Sequence, residues 1–336
     1  MQQQGEQNQA RSAYFRRNFD QPAWYKRLAV HLLMFLLRML PGAVKRALAG
    51  RMAARQVRKQ GRRQQIIDVN LRTCFPGMSE DKRALRKLHF AEKLFTAALD
   101  VAHFWKGPRP ALDRLVRIEG REHLDSALGK GSGAILLVPH TTSLEIGGLS
   151  LARRYPMLGL TSEPKQDIEH WAFKRIREQF SDAVLDRTAS VRRVIRELRG
   201  GRVLYYLPDE DHGHLKPSVY VPFFGRPTAT LEGAGRLLAL AKVPVLPALT
   251  WFDVDRHQYV TEIFPAVAFG DDVDENCALV RNEIEKLIRL KPDDYLWTLR
   301  MFNNQPDGSA NPEYPPPKIA VTEENRRPPP RRRRPR

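Results

Sequence analysis

The segment AILLVPHTTSLE, from Ala134 to Glu145, combines a strand signal with the start of a helix. Its apolar run, Ala134–Val138, follows a glycine-rich turn and is typical of a buried strand, which Pro139 ends. One of the hydroxyl residues at 141–143 can cap the next helix, with Glu145 in its first turn. The sequence therefore predicts a strand, a turn that contains His140, and a helix.

His140 and Glu145 are spaced as H-x4-E, a pattern that also occurs often by chance. On one regular helix, five residues turn about 500°, which would put the two side chains about 140° apart. They can touch if His140 lies in the turn and Glu145 reaches back from the helix. The carboxylate would then fix the imidazole tautomer and leave the other nitrogen as a base for an alcohol. The preceding glycine-rich turn and strand favour this catalytic interpretation.

Strand and helix signals alternate through the body of the chain, which predicts an α/β domain with a largely parallel sheet flanked by helices. Ligands bind beyond the carboxyl ends of the strands in such sheets. His140 follows one strand and Pro208-Asp209 follows another, so we expect both to face one cleft. Residues 64–105 are predicted to be helical. The later strands are Leu115–Glu119, Ala134–Val138, Leu158–Thr161, Val203–Leu207 and Val245–Thr250, and the helices are Leu124–Leu128, Ile168–Phe180, Val191–Leu198 and Glu232–Ala241.

The net charge of +18 lies at the ends of the 336-residue chain. Residues 1–63 contribute +12 and residues 326–336 contribute +7, which leaves −1 for the residues between them. A pI near 10 suggests nucleic acid first. However, the sequence shows no zinc spacing, aromatic RNA-binding signature or helix-turn-helix pattern, so no nucleic-acid partner is expected. Basic ends around an apolar stretch fit an anionic membrane surface better.

That apolar stretch is Leu28–Leu40, which is shorter than the roughly 20 residues of a transmembrane helix. Trp24 and Tyr25 precede it like interfacial anchors, and a basic flank follows it. The pattern predicts a membrane-anchor helix that lies in, or shallowly enters, the cytoplasmic leaflet. Two alternatives stay open: a signal peptide cleaved near Ala47-Leu48-Ala49, which the basic flank opposes, and an amphipathic helix packed on the domain. The flank consists of Lys45, Arg46, Arg51, Arg55, Arg58, Lys59, Arg62 and Arg63.

The two cysteines, Cys74 and Cys277, form neither a disulfide framework nor a zinc spacing. This pattern suits a reducing compartment and predicts that both are small buried apolar residues. The segment Lys174–Arg202 is the one basic part of the body. It is either a solvated helix face or a dock for phosphates or an acidic partner protein.

Eight segments carry a resemblance far more specific than the H-x4-E pair alone. Taken in order, they are similar to the late acyltransferases of lipid A biosynthesis, the lauroyl/myristoyl acyltransferase family of Gram-negative inner membranes. The likeness runs from about residue 24 to residue 306. The segments are the N-terminal anchor, NLRTCFP, VPHTTSLE, HWAFKRIREQF, LDR at Leu185–Arg187, GGRVLYYLPDEDHG, SVYVPFFGRPTAT and PDDYLWTLRMF.

The resemblance implies a glycerolipid-acyltransferase-like fold at the cytoplasmic face of the inner membrane. It implies transfer of a fatty acyl chain from acyl carrier protein to a hydroxyl of a Kdo-lipid A precursor. By position, His140 and Glu145 match the catalytic dyad, and Arg177 and Asp209 match an important arginine and the acid of a Pro-Asp motif. A thioester donor is already activated, so neither a metal nor a cofactor beyond the acyl carrier protein co-substrate is expected. The expected substrate-binding residues are Arg177, Arg187, Asp209 and Asp211, with capping or a loop salt bridge as the alternative for the two aspartates.

Three segments depart from the family pattern: Ser162-Glu163-Pro164, Ala229–Gly233 and Trp297–Phe302. They leave two alternatives open, namely an acyltransferase for another membrane lipid or glycolipid, and an inactive membrane-surface or nucleic-acid-binding protein. The intact dyad argues against the second alternative. The predicted division of the chain is a disordered basic N-terminus at 1–22, a membrane-anchor helix with its basic flank at 23–63, an acyltransferase domain at 64–306, and a disordered Pro/Arg-rich tail at 307–336.

Overall fold

A computed structural model of the chain describes residues 22–105, 109–129, 131–161, 168–177, 183–186, 189–211 and 217–316. The predicted disordered N-terminus therefore lies almost wholly outside the described residues, as does residue 187. The described elements begin with four helices. These are α1 (Trp24–Met39), α2 (Gly42–Arg58), α3 (Arg62–Cys74) and α4 (Glu80–Asp100), which a 3₁₀ turn (Val101–Phe104) extends.

The predicted helical character of residues 64–105 is confirmed. Helix α3 ends at Cys74 inside the NLRTCFP segment, and Ser79 caps α4 by accepting a hydrogen bond from the Lys82 amide at 3.4 Å. Both cysteines are buried free thiols, as the sequence predicts.

Helices α1 and α2 meet at a bend of 112°. Among the described residues, no single helix is long and apolar enough to cross a membrane, and this bent pair meets the length and composition requirements only together. Helix α1 has no fully buried residue, and one side of it packs Val30 and Met34 against the core. Helix α2 packs on α4 and buries Ala49 and Ala53.

Lys45 has different surroundings from the rest of the basic flank. The sequence places it in the flank that follows the anchor helix, but its side chain is only 2% exposed. Its Nζ donates to Asp100 Oδ1 at 2.9 Å and lies 2.6 Å from His103 Nε2, and Asp100 also accepts from the Tyr259 hydroxyl at 3.0 Å. The second N-terminal helix is therefore joined to the domain by a buried ion pair.

The body of the chain is an α/β domain built on a seven-stranded sheet of order β1-β9-β8-β2-β5-β3-β4. Five neighbouring strands, from β8 to β4, run parallel, whereas β9 is antiparallel to β8 and β1 is parallel to β9. The predicted α/β class and mostly parallel sheet are confirmed. The sheet strands are β1 (Val116–Glu119), β2 (Ala134–Leu137), β3 (Met157–Thr161), β4 (Ala183–Asp186), β5 (Val203–Tyr206), β8 (Val245–Asp253) and β9 (Gln258–Ile263).

Helices and one hairpin surround this sheet. The hairpin of β6 (Ser218–Phe223) and β7 (Arg226–Leu231) forms a separate two-stranded sheet that leads directly into the next helix. The sequence patterns predict neither this hairpin nor strands β4 and β9 nor the last helix. The helices are α5 (Arg109–Leu115), α6 (Arg121–Leu128), α7 (Leu144–Ala152), α8 (Ile168–Arg177), α9 (Val191–Arg199), α10 (Glu232–Ala241) and α11 (Val273–Leu290).

The described structure continues to residue 316, into the segment predicted as a disordered tail. Tyr314 is 5% exposed and packs in the main hydrophobic cluster with Trp297. Its hydroxyl donates to Asn70 on α3, and the Asn70 amide donates to the carbonyls of Trp297 and Leu299 at 2.7 Å each. Residues 307–316 therefore pack on the domain, and the remainder of the predicted tail lies outside the described residues.

Candidate active site

His140 and Asp209 meet at the carboxyl ends of two neighbouring parallel strands. Strand β2 pairs with β5 so that Leu137 lies opposite Tyr206, and the chain continues three residues from each to reach the two side chains. His140 Nδ1 lies 2.5 Å from Asp209 Oδ1, and the His140 backbone N–H donates to Oδ2 at 2.8 Å. The two strand ends thus face one cleft, as the sequence predicts.

The Asp209 carboxylate is fully buried and ionised in this setting. Burial alone would raise its pKa, but the His140 side chain, the His140 amide and the Tyr295 hydroxyl together hold the pKa below its ordinary value. Tyr295 donates to Oδ2 at 2.9 Å. An ionised Asp209 accepts a hydrogen bond from Nδ1–H, which leaves His140 Nε2 as the ring nitrogen that can take a proton from a substrate.

Arg281 bonds the backbone of the loop that carries Asp209. This arginine is fully buried on α11 and donates to the Asp209 carbonyl at 3.2 Å, to Thr230 Oγ1 at 2.7 Å and to the Ala229 carbonyl at 2.8 Å. Burial lowers the Arg281 pKa, while the Asp209 charge opposes that shift. A buried cation with satisfied donors is costly to remove, so Arg281 holds hairpin and loop in place.

Glu145 does not make the contact that the H-x4-E spacing suggests. It lies in the first turn of α7, but its carboxylate binds Arg177 on α8: Arg177 Nε donates to Oε2 at 3.0 Å, and Nη2 donates to Oε1. The predicted orientation of His140 by Glu145 is therefore wrong, because β5 delivers Asp209 directly to Nδ1. Burial alone would lower the Arg177 pKa, but the Glu145 charge and hydrogen bonds raise it above its ordinary value.

Close packing of α7 on the sheet brings Glu145 to the cleft. A Cβ atom added at Gly147 would lie 2.0 Å from Thr250 Oγ1 on β8, so only glycine permits this approach. Helix α8 packs against α7 through Ile176, which shares a buried cluster with Ile146 and Leu149. Arg177 follows Ile176 directly and so reaches Glu145.

A cavity of about 670 Å³ opens over these residues. Charged or polar groups in its wall come from His140, Glu145, Arg177, Glu210, Glu232 and Arg236. Glu210 Oε1 lies 3.8 Å from His140 Nε2. The rest of the wall is mostly apolar. A second hollow of about 140 Å³ adjoins the first between α7 and β3. Apolar residues on these walls include Leu144, Leu160, Val191, Val194, Leu207 and Leu237.

The other predicted site residues divide into three cases. Asp209 is fully buried and bonds His140, so it is not accessible for the substrate contact that the sequence predicts. Asp211 accepts hydrogen bonds from the Asn304 backbone amide at 2.9 Å and side chain at 2.7 Å, so it joins its loop to the segment around residue 304. Arg187 lies outside the described residues. Among the residues that the structure describes, no cluster of three or more His, Cys, Asp or Glu could hold a metal ion.

Three residues of the site were missed by sequence reasoning: Tyr295, Arg281 and Glu210. Tyr295 and Glu210 lie inside segments that carry the resemblance, but a single tyrosine or glutamate there has no distinctive spacing. Arg281 had a usable signal, because it lies on the buried face of α11 together with Cys277 and Ile284. A charged residue on the apolar side of a helix needs a buried partner.

A histidine held by a buried carboxylate, beside a cation and above a largely apolar cavity, can deprotonate a hydroxyl next to an apolar substrate. The chain belongs to the bacterial lipid A biosynthesis acyltransferase family, whose family model matches residues 13–304. It is therefore an acyltransferase.

Curated relatives agree with this assignment over most of the chain. A lipid A biosynthesis acyltransferase of Haemophilus influenzae is 27% identical over 88% of this chain and 93% of its own length. The lipid A biosynthesis lauroyltransferase of Escherichia coli is 26% identical, covering 85% and 93%. The Escherichia coli lipid A biosynthesis myristoyltransferase is 27% identical, covering 78% and 81%.

Proposed function

We propose that this protein transfers a fatty acyl chain from acyl carrier protein to a hydroxyl of a Kdo-lipid A precursor. The observation that carries the proposal is His140 Nδ1 held at 2.5 Å by the buried Asp209 carboxylate, beside a cavity with mostly apolar walls. Such a cavity suits an acyl chain, and a histidine held in this way suits removal of a hydroxyl proton. The family and its relatives support lipid A as the acceptor class.

In the proposed reaction, His140 Nε2 takes the proton of the acceptor hydroxyl as its oxygen attacks the thioester carbonyl. The developing imidazolium is stabilised by the ionised Asp209 on Nδ1. The tetrahedral intermediate then collapses, the carbon–sulfur bond breaks, and the thiolate receives the proton from the imidazolium. The products are the acyl ester and a free thiol, so the step balances without a metal or a further cofactor.

Like Arg236, Arg177 is a cation in the cavity wall. Its guanidinium is 41% exposed while Glu145 holds it from one side, so donors remain available to a ligand. We assign it to the oxyanion of the intermediate or to a phosphate of the acceptor, both of which an arginine binds through charge and directed hydrogen bonds. Glu145 then acts by aiming Arg177 rather than by orienting His140.

The proposed location is the cytoplasmic face of the inner membrane. Helix α1 carries a cluster of exposed apolar side chains next to Trp24 and Tyr25, and helix α2 follows with exposed arginines such as Arg51 and Arg55. An exposed apolar face with neighbouring basic residues binds an anionic bilayer surface. The exposed apolar residues of α1 include Leu28, Leu32, Leu33, Phe35, Leu36 and Met39.

Mass spectrometry of lipid extracts tests the proposal. A strain without this protein should make lipid A that lacks one secondary acyl chain, and the wild-type gene should restore that chain. The His140→Ala variant should fail to restore it although the protein accumulates normally. Unchanged lipid A together with the loss of an acyl chain from another membrane lipid would contradict the proposed acceptor.

A further inference from the structure

Helix α9 has two faces with different surroundings. Val191 and Val194 line the cavity, and Leu198 is buried on the same side. The 3.6-residue period of the helix places its four arginines on the opposite side, where all four are exposed. These residues, which we call the α9 arginine face, are Arg192, Arg193, Arg196 and Arg199. Helix α9 therefore lies between the cavity of the proposed active site and the α9 arginine face.

Within the part of the chain that the structure describes, no acidic side chain pairs with the α9 arginine face. Among the described residues, no hydrogen bond or ion pair engages the side chain of any of the four arginines. The one acid of the helix, Glu197, accepts a hydrogen bond from Arg202 Nε at 2.8 Å instead. Like charges three and four residues apart destabilise a helix. Four arginines without a described acidic partner are therefore better explained by an external acidic partner than by the stability of α9.

The mouth of the cavity extends the same positive surface. Arg236 on α10 contributes to the cavity wall, and its side chain is 62% exposed while it bonds Glu232 at 2.8 Å. Helix α10 packs against α9. The positive surface therefore continues from the outer side of α9 towards the opening above His140.

A membrane surface is a weaker candidate for this face than a protein. Membrane-binding helices combine basic residues with large apolar side chains that enter the bilayer. Among the described residues, large exposed apolar side chains concentrate on α1, and none lies on α9. A purely charged surface fits a soluble partner that is steered and held by complementary charge.

We propose that the α9 arginine face is the docking surface for the acidic protein that carries the acyl thioester. This inference rests on the proposed function, because it assigns the donor's binding surface for the same site. The carrier docks outside α9 while its flexible thioester arm enters at Arg236 and reaches His140. Charge complementarity supplies the encounter rate and the orientation, and the apolar cavity receives the acyl chain.

Arg192→Gln/Arg196→Gln is the test variant, since glutamine keeps the helix propensity and removes two charges one turn apart. The matched control is Arg114→Gln/Arg226→Gln, which also removes two exposed arginine charges but lies outside the cavity wall and outside the N-terminal helices. The full-length proteins are compared in detergent with two donors of the same acyl group, acyl carrier protein thioester and the small pantetheine thioester. The test variant should raise KM for the carrier-bound donor about tenfold with kcat little changed, and the difference should shrink at high salt. The pantetheine thioester should show no such change.

Direct titration with acyl carrier protein separates this inference from the proposed function. The wild-type protein should bind the carrier, and the α9 variant alone should bind it about tenfold more weakly, whether or not turnover is detected. Equal carrier affinity for wild type and variant overturns the docking surface even if the enzyme is active. Weaker flotation of the α9 variant with anionic phosphatidylglycerol vesicles, with carrier binding unchanged, would assign the face to the membrane and also overturn the proposal.

Discussion

At His140, the choice of carboxylate partner decides what each acid can do. Asp209 is fully buried and bonds the imidazole, the His140 amide and Tyr295, whereas Glu145 lies in the cavity wall and binds Arg177. A buried carboxylate can hold a tautomer, and an accessible one can aim a cation towards substrate. In the proposed reaction, the two acids would therefore have different roles: Asp209 holds His140, and Glu145 holds Arg177.

Asp209→Asn should reduce kcat by roughly 10²- to 10⁴-fold while the protein stays folded. The amide fills the same space but cannot stabilise the imidazolium or fix the Nδ1–H tautomer. Steady-state kinetics with a thioester donor, together with thermal melting, measures both effects. Asp253→Asn is the control, because this aspartate bonds the amides of residues 255 and 256 in the β8–β9 turn. A kcat loss no larger than that of the control would remove Asp209 from the mechanism.

Arg177→Lys should reduce kcat/KM by roughly 10²-fold, since lysine keeps the charge and loses the two-pronged contact with Glu145. Glu145→Gln should cause a comparable loss by releasing Arg177. Because both changes disable one unit, the double variant should be little worse than either single variant, and a double-mutant cycle measures this. Arg256→Lys, at a surface pair with Asp253, is the control. Fully additive losses would show that Glu145 and Arg177 act separately.

At the scale of elements, helix α8 is the connection between the N-terminal helix and the site. Trp171 on α8 packs edge-on against His31 of α1, with ring centroids 5.9 Å apart, and lies 5.8 Å from the ring of Trp105. The Trp105 indole donates to His31 Nδ1 at 3.0 Å. Arg177 lies six residues further along the same helix, so the packing of α1 contributes to where Arg177 points.

Trp171→Ala should therefore lower kcat by about 10- to 10²-fold without a contact to substrate, because α8 loses the packing that aligns Arg177. Phe173→Ala on the same helix is the control, since Phe173 is 40% exposed. Rates in detergent separate this effect from membrane attachment. Equal activity of the two variants would show that α1 does not influence the site through α8.

The N-terminal helices should separate into an anchoring part and a structural part. Deletion of residues 1–40 should release the protein from membranes, because it removes α1 and its exposed apolar side chains. Deletion of residues 1–50 should in addition destabilise the domain by roughly 3–5 kcal/mol, because Asp100 loses its buried partner Lys45. Fractionation and urea unfolding measure the two effects.

The full-length Lys45→Met variant separates the effect of the Lys45–Asp100 ion pair from the loss of the helices, since it removes the Lys45 charge and keeps α1 and α2. Its unfolding free energy should fall towards that of the longer deletion, with membrane attachment intact. Equal stability of the two truncated proteins would contradict the structural role assigned to Lys45.

At the scale of the whole molecule, the net positive charge comes from the two ends of the chain. Inside the fold, the buried charges of Lys45 and Asp100 form an ion pair. His103 shows how this affects stability. Its pKa is lowered by burial first and by the Lys45 charge next, and Arg38 lowers it further while Asp100 opposes the shift. The folded protein therefore keeps His103 neutral at a pH where the unfolded chain binds a proton.

Stability should consequently fall as the pH falls through the interval between the unfolded pKa near 6.5 and the lower folded pKa of His103. The unfolded state binds more protons in that interval, so the unfolding free energy rises with pH there. Above about pH 6.5, His103 is neutral in both states and no longer lowers the unfolding free energy. Urea unfolding of wild type and His103→Gln at a series of pH values measures it. The variant should show a flatter dependence, and identical slopes would mean that His103 titrates alike in both states.

The sequence alone determined the strand–turn–helix unit around His140, the α/β class, the mostly parallel sheet and the family. These features depend on local patterns: an apolar run, a proline stop and segments in a recognisable order. The position of Asp209 just after a strand was likewise readable, and the rule for parallel sheets correctly placed it near His140.

Only the tertiary structure decided which acid holds His140. Glu145 is five residues away in sequence and Asp209 is 69, yet β2 and β5 are neighbours in the sheet, so the distant residue makes the contact. Lys45 is similar: in sequence it belongs to a basic flank, and only the packing of α2 on α4 buries it against Asp100. Strand order and helix packing join residues far apart in the chain, and a local pattern carries no information about which of several like charges those contacts will select.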